Sequence, residues 1–154
     1  MEIGDLLTVE RVIDRLHGAS KKQVLQELSK RAGEVTGLDE RAIFDVLLER
    51  ERLGTTGVGN GVAIPHGKSA DLDRLYGLFA RLDQPIDFDA IDDQPVDLVF
   101  LLLAPERAGA DHLKALARIS RLLRDQAVCE ALREAADADA IFRILTGAVR
   151  RSAA

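Results

Sequence analysis

Apolar residues recur at helical spacing in two early stretches of the chain. In KKQVLQELSKRAGEVTG, residues 21 to 37, Val24, Leu25, Leu28 and Ala32 share one face, the repeat of an amphipathic helix. Ser20-Lys21-Lys22-Gln23 before it has capping-box form: Ser20 can accept from the Gln23 amide while Gln23 reaches back. Gly37 stops the helix. LDERAIFDVLLERERLG, residues 38 to 54, predicts a second helix, with Asp39 and Glu40 at its positive end and Gly54 at its close. Its stripe runs through Ile43, Val46 and Leu47, and the next position on that stripe is Arg50. A charge there is costly unless it pairs or reaches a wet cleft. A snorkelling stem is the harmless alternative, and spacing leaves both open.

Around these helices the pattern is mixed. Residues 1 to 18 predict a short helical turn and then a strand. LYGLFARLD (75 to 83) reads as a strand, and QPIDFDAIDDQP as a proline-bracketed connection with one short extended piece. VDLVFLLLAP (96 to 105) is apolar almost throughout, the mark of a central strand buried on both faces. After the loop ERAGA, DHLKALARISRLLRDQ predicts an amphipathic helix with Asp111 as N-cap. Leu116, Ile119, Leu122 and Leu123 form its apolar face, and His112 lies one turn before Leu116 on that face. AVCEALREAA and DADAIFRILTGA add two helical pieces, and RRSAA reads as a frayed tail. No repeat or low-complexity linker interrupts this order. One α/β domain is expected.

Composition narrows the function classes. The 154 residues suit one domain with a real core. A formal charge of −5 argues against general binding to nucleic acid or to anionic membranes. Cys129 is the single cysteine, which excludes an intramolecular disulfide and a cysteine metal cluster. Its helical surroundings favour a buried, inert thiol. MEIGDLLTVERVI lacks the apolar core of a signal peptide. No stretch approaches the ~20 apolar residues of a membrane span. A reduced, cytoplasmic setting is expected.

The candidate chemistry sits in GNGVAIPHGKS, residues 59 to 69. Its Gly67-Lys68-Ser69 looks like the end of a phosphate-cradling P-loop, but the first glycine of that motif should stand at 62, where this chain has Val62. Pro65 also deletes one of the amides such a cradle uses. The dinucleotide fingerprint fails because Gly57, Gly59 and Gly61 alternate. What remains is His66 between Pro65 and Gly67. Pro65 restrains the backbone, and Gly67 admits close approach on the other side. With an unperturbed pKa of about 6.5, a neutral imidazole is available there as a nucleophile. Local pattern alone fits a satisfied core or surface histidine as well. His17, His66 and His112 form no metal-ligand spacing, and no G-x-S-x-G elbow exists. Neither metal nor cofactor is expected.

The run RERLGTTGVGNGVAIPHGK, residues 50 to 68, resembles the active-site signature of phosphotransferase-system EIIA domains of the fructose/mannitol type, closest to the nitrogen-regulatory branch. FDAIDDQPVDLVFLLLAP (88 to 105) and the DHLKALARIS helix start (111 to 120) extend the likeness to essentially the whole chain. The resemblance implies one EIIA-type domain over residues 1 to 149, a mixed β-sheet flanked by helices, with a flexible tail at 150 to 154. It implies that His66 is phosphorylated at Nε2 by a histidine phosphocarrier of the HPr type (NPr in the nitrogen branch), itself charged by an Enzyme I using phosphoenolpyruvate. The family's second histidine falls on His112 and its arginine on Arg50.

On this view His66 is the nucleophile, Arg50 pairs with phosphoryl oxygens, and His112 donates to them or orients the phosphate. A backbone carbonyl holding Nδ1–H of His66 would leave the Nε2 lone pair outward. Gly59, Asn60 and Gly61, with Pro65 and Gly67, are expected to shape the cleft wall. Lys68 either adds positive potential or is simply solvated. The favoured reading is a regulatory phosphocarrier whose phosphorylation state is read by target proteins. The alternative is a sugar-transport EIIA that passes phosphoryl to a IIB component. A domain that keeps only the fold and acts by interaction is a third reading, against which His66, His112 and Arg50 stand.

Overall fold

The computed structural model describes residues 2 to 147, so the expected tail at 150 to 154 lies outside the described residues. Two short 3₁₀ turns, Ile3–Asp5 and Val9–Arg11, lead into β1 (Val12–Leu16). Helices α1 (Lys21–Thr36) and α2 (Glu40–Arg52) follow. Three short strands come next: β2 (Gly57–Gly59), β3 (Val62–Ala63) and β4 (His66–Ser69). The long strands β5 (Tyr76–Ile86) and β6 (Val96–Pro105) precede α3 (Ala110–Arg124), α4 (Gln126–Glu134) and α5 (Ala138–Leu145).

The expected mixed sheet flanked by helices is present. Strands run in the order β1-β5-β6-β3-β2, and β4 also pairs with β6. β5 and β6 are antiparallel, whereas β1 lies parallel to β5, and β3 and β4 lie parallel to β6. Strand period two sorts the core. Val99, Leu101 and Leu103 of β6 enter one cluster with residues of α1 and α2. Leu98, Phe100 and Leu102 enter the other with residues of α3, α4 and α5. β6 is therefore buried on both faces, as its unbroken apolar run requires.

Local chemistry sets the element ends. Gln23 N–H donates to Ser20 Oγ at 3.2 Å, and the Gln23 amide oxygen accepts from Ala19 N–H at 2.8 Å. Gly37 closes α1 with φ of 78°, in the left-handed region. Asp39 caps α2 by accepting from Ala42 N–H. Two expectations need correction. Asp111 is not the N-cap of α3: Gly109 takes that place at φ 53°, and Asp111 sits in the first turn, its N–H bonded to the Ala108 carbonyl. The tight turn that brings Ala108 N–H onto the Pro105 carbonyl starts the helix early, and the carboxylate still favours the positive helix end. β5 also continues to Ile86, through part of the stretch read as a connection; its pairing to β6 shifts register between Arg81 and Ile86, which accommodates Pro85.

Candidate functional site

Strand β4 opens with His66 because its Cα partner is Leu102 of central β6, and Leu102 N–H is also bonded to the Pro65 carbonyl at 3.0 Å. The ring is then fixed by its own neighbour: Nδ1–H donates to the Ile64 carbonyl at 2.8 Å. A neutral imidazole with its proton on Nδ1 must carry its lone pair on Nε2. That nitrogen faces Arg50, whose Nε–H donates to it at 3.3 Å. Arg50 is aimed by a second bond, from Nη1 to the Gly54 carbonyl at 2.9 Å, across the turn that ends α2. Its position on the α2 stripe is thus explained by pairing at a half-exposed cleft.

His112 completes the cluster from the first turn of α3. Its ring centroid is 5.6 Å from that of His66, tilted by 52°. It is buried, and its Nδ1 has no hydrogen-bond partner among the described residues. Both imidazoles are held below the ordinary histidine pKa. For His66 burial is the main cause; the Ile64 carbonyl opposes it, Arg50 adds to it, and Glu51 opposes it. For His112 burial leads, followed by repulsion from His66 in its protonated form and from the charge of Lys68. The neutral form of each ring is therefore favoured at pH 7, with one ring nitrogen of each carrying a lone pair.

The glycines divide into two groups. A Cβ on Gly67 would collide with Val46 of α2, so Gly67 is what lets that helix lie against β4 and bring Arg50 to His66. Gly59 and Gly61 serve the turn around Asn60 instead. Asn60 has φ of 57° and Gly61 has φ of 80°. A Cβ on Gly61 would meet Arg133, and also Asp97 Oδ1 at 2.9 Å. Arg133 pairs with Asp97 through Nε at 2.8 Å and Nη2 at 2.9 Å, and donates to the Asn60 carbonyl. Asn60 N–H donates to Asp92 Oδ2 at 2.9 Å. Those three residues brace the turn before the histidine strand. Pro65 is buried and Lys68 is exposed. His17 stays apart from the cluster, exposed and bonded to Asp83 at 2.8 Å.

A family model described as the phosphoenolpyruvate-dependent sugar phosphotransferase system, EIIA 2, matches residues 5–148. The chain belongs to that EIIA family. It is 63% identical over 145 residues to a nitrogen regulatory protein of Bradyrhizobium diazoefficiens, covering 94% of this chain and 95% of that one. It is 40% identical over 147 residues to a nitrogen regulatory protein of Escherichia coli K12, covering 95% and 90%. Among solved structures, nitrogen regulatory protein IIA-Ntr of Neisseria meningitidis superposes with a TM-score of 0.89 at 35% identity, over 94% of this chain and 99% of that one. The EIIA resemblance and the fold expected from it are thereby established.

In this EIIA domain one buried charge escaped sequence reasoning. Glu51, next to Arg50, is buried; it accepts from Thr56 N–H at 3.0 Å and from Thr56 Oγ1, and pairs with Lys21 Nζ at 3.0 Å. The available signal was its spacing: four after Leu47 and eight after Ile43, on the stripe that packs inward. Cys129 is buried, its thiol donating to the Leu123 carbonyl, and burial pushes its pKa up, which suits an inert thiol. No helix among the described residues is long and apolar enough to cross a membrane.

Proposed function

We propose that this EIIA domain is a phosphocarrier that accepts a phosphoryl group on His66 Nε2 from an HPr/NPr-type phosphohistidine protein. The observation that carries this reading is the paired restraint on one ring: Nδ1–H on the Ile64 carbonyl, Nε2 facing the Arg50 guanidinium. In the transfer the Nε2 lone pair forms a bond to phosphorus. The donor's N–P bond breaks, and its electron pair returns to the donor ring. As the new bond forms, the His66 ring gains positive character while still carrying its Nδ1 proton, and the Ile64 carbonyl stabilises that charge. Arg50 moves from the lone pair to the arriving oxygens, which it can meet with two N–H groups. His112, its ring centroid 5.6 Å from that of His66, offers an imidazole N–H to a phosphoryl oxygen. Such a loose transition state asks for placed charge rather than further covalent chemistry.

The regulatory role follows as part of the same proposal. Phosphorylation exchanges a neutral imidazole for a group of about −2 charge on a part-exposed site, enough to change docking on a target protein. Extended similarity to nitrogen regulatory proteins supports a signalling role in the cytoplasm over sugar transport through a IIB component. The test is incubation with Enzyme I, the phosphocarrier and phosphoenolpyruvate. Wild type should gain one acid-labile phosphoryl by mass, and His66→Ala should gain none. An unmodified wild type would reduce the chain to an interaction domain.

A further inference from the structure

We propose that Glu51 is a positioning residue for phosphoryl acceptance: its carboxylate clasps Thr56, and the clasp sets both the tautomer of His66 and the aim of Arg50. The proposal rests on His66 being the acceptor. Its geometric basis is a continuous path. Glu51 accepts from both Thr56 N–H and Thr56 Oγ1, closing the 52–56 turn onto the end of α2. Within that turn the Gly54 carbonyl holds Arg50 Nη1 at 2.9 Å. Beyond it the Thr56 carbonyl accepts from Ile64 N–H at 2.9 Å, and the Ile64 carbonyl accepts from His66 Nδ1–H at 2.8 Å. Thus one carboxylate governs the two anchors on which the site depends.

Burial makes the clasp a specific device. The Glu51 side chain is 4% exposed and Lys21 is 19% exposed, so their 3.0 Å pair is shielded. Lys21 also lies 3.7 Å from Asp89 and stands over the Phe88 ring. A buried carboxylate is tolerated only with its lone pairs satisfied, and Lys21 and Thr56 do this from α1 and from the start of the histidine arm. Mere fold stability needs no such group beside the nucleophile, since an apolar residue of similar size would serve. The groups facing His66 are Arg50 and Glu51 from α2 and His112 from α3. Glu51 is the one anion among them, and it offsets the guanidinium.

The test is nitrogen-detected NMR of the imidazoles in the full chain, combined with transfer kinetics from the phosphocarrier. Wild type should show His66 with its proton on Nδ1. Glu51→Gln and Thr56→Val should each mix the two tautomers, and Glu51→Gln should also lower the His66 titration midpoint. Both should cut kcat for acceptance at least ~10-fold with KM within about twofold, because misplacement of reacting groups acts on the chemical step. Thr56→Ser, which keeps the hydroxyl, should restore wild-type tautomer and rate. If Glu51→Gln fails to fold, Thr56→Val and Thr56→Ser carry the same comparison. Variants with lowered thermal stability but wild-type tautomer and kcat would overturn the proposal and leave Glu51 a structural ion pair. The tautomer is read without phosphorylation, so failure of the acceptor reading shows separately, as a wild type that takes up no phosphoryl.

Discussion

Arg50 and His66, sixteen residues apart, meet at 3.3 Å because the last turn of α2 crosses the start of β4. The guanidinium occupies the lone pair that the Ile64 carbonyl leaves free. Arg50→Ala should therefore slow phosphoryl acceptance by ~100-fold, the scale of losing one placed charge-stabilising donor. The fold should survive, since the side chain is half-exposed. Arg50→Lys should recover little, because an ammonium cannot meet both the Gly54 carbonyl and a phosphoryl group with the same fork. Stopped-flow transfer and thermal unfolding check both statements; unchanged transfer in Arg50→Ala removes the role.

The depressed pKa of His66 and His112 has a defined sign in stability. Each ring binds a proton less readily folded than unfolded. Their contribution is complete above the unfolded value of 6.5 and is lost as pH falls from there through the folded values. Urea unfolding from pH 8 to 5 should show stability falling below about pH 6.5, with a shallower fall in His66→Ala. Acceptance itself should stay flat below that pH, until His66 protonates in the folded state.

Gly67 makes the crossing of α2 over β4 possible. A Cβ there runs into Val46, and overpacking of this kind costs ~1–3 kcal/mol. Gly67→Ala should be destabilised by that amount and slowed in transfer as α2 shifts with Arg50. Val46→Ala should repair much of both in the double variant. A double-mutant cycle by chemical denaturation measures the coupling, and additivity of the two changes would refute the contact.

The long elements were legible because period and burial agree: α1 and α2 through their stripes, β6 through its apolar run. β2, β3 and β4 were not, since two to four residues among glycines carry no period. His66, Arg50 and His112 were found as candidates, the first by Pro65 and Gly67, the second by a charge on a stripe, and all three by family likeness. Local pattern could not show that Gly59 and Gly61 make room for Asp92, Asp97 and Arg133, because those partners come from elsewhere in the chain. Glu51 was hidden for the same reason: its partners Lys21 and Thr56 approach from either side of α2.

His112 tests whether the cleft trades stability for chemistry. A buried polar atom lacking a partner costs about 1–3 kcal/mol, whereas an apolar ring of similar shape has nothing to satisfy. Among the described residues His112 Nδ1 is such an atom, on a residue 6% exposed beside the Ala115 and Ile119 face of α3. His112→Phe should therefore raise the melting temperature, by roughly 2–4 °C for each kcal/mol regained in a chain of this size. It should also slow acceptance about tenfold, through loss of a ring N–H donor 5.6 Å, centroid to centroid, from the His66 ring. A gain in stability with a loss of rate is the pattern of a residue kept for its chemistry. A less stable variant that accepts phosphoryl at the wild-type rate would show instead that His112 is ordinary packing.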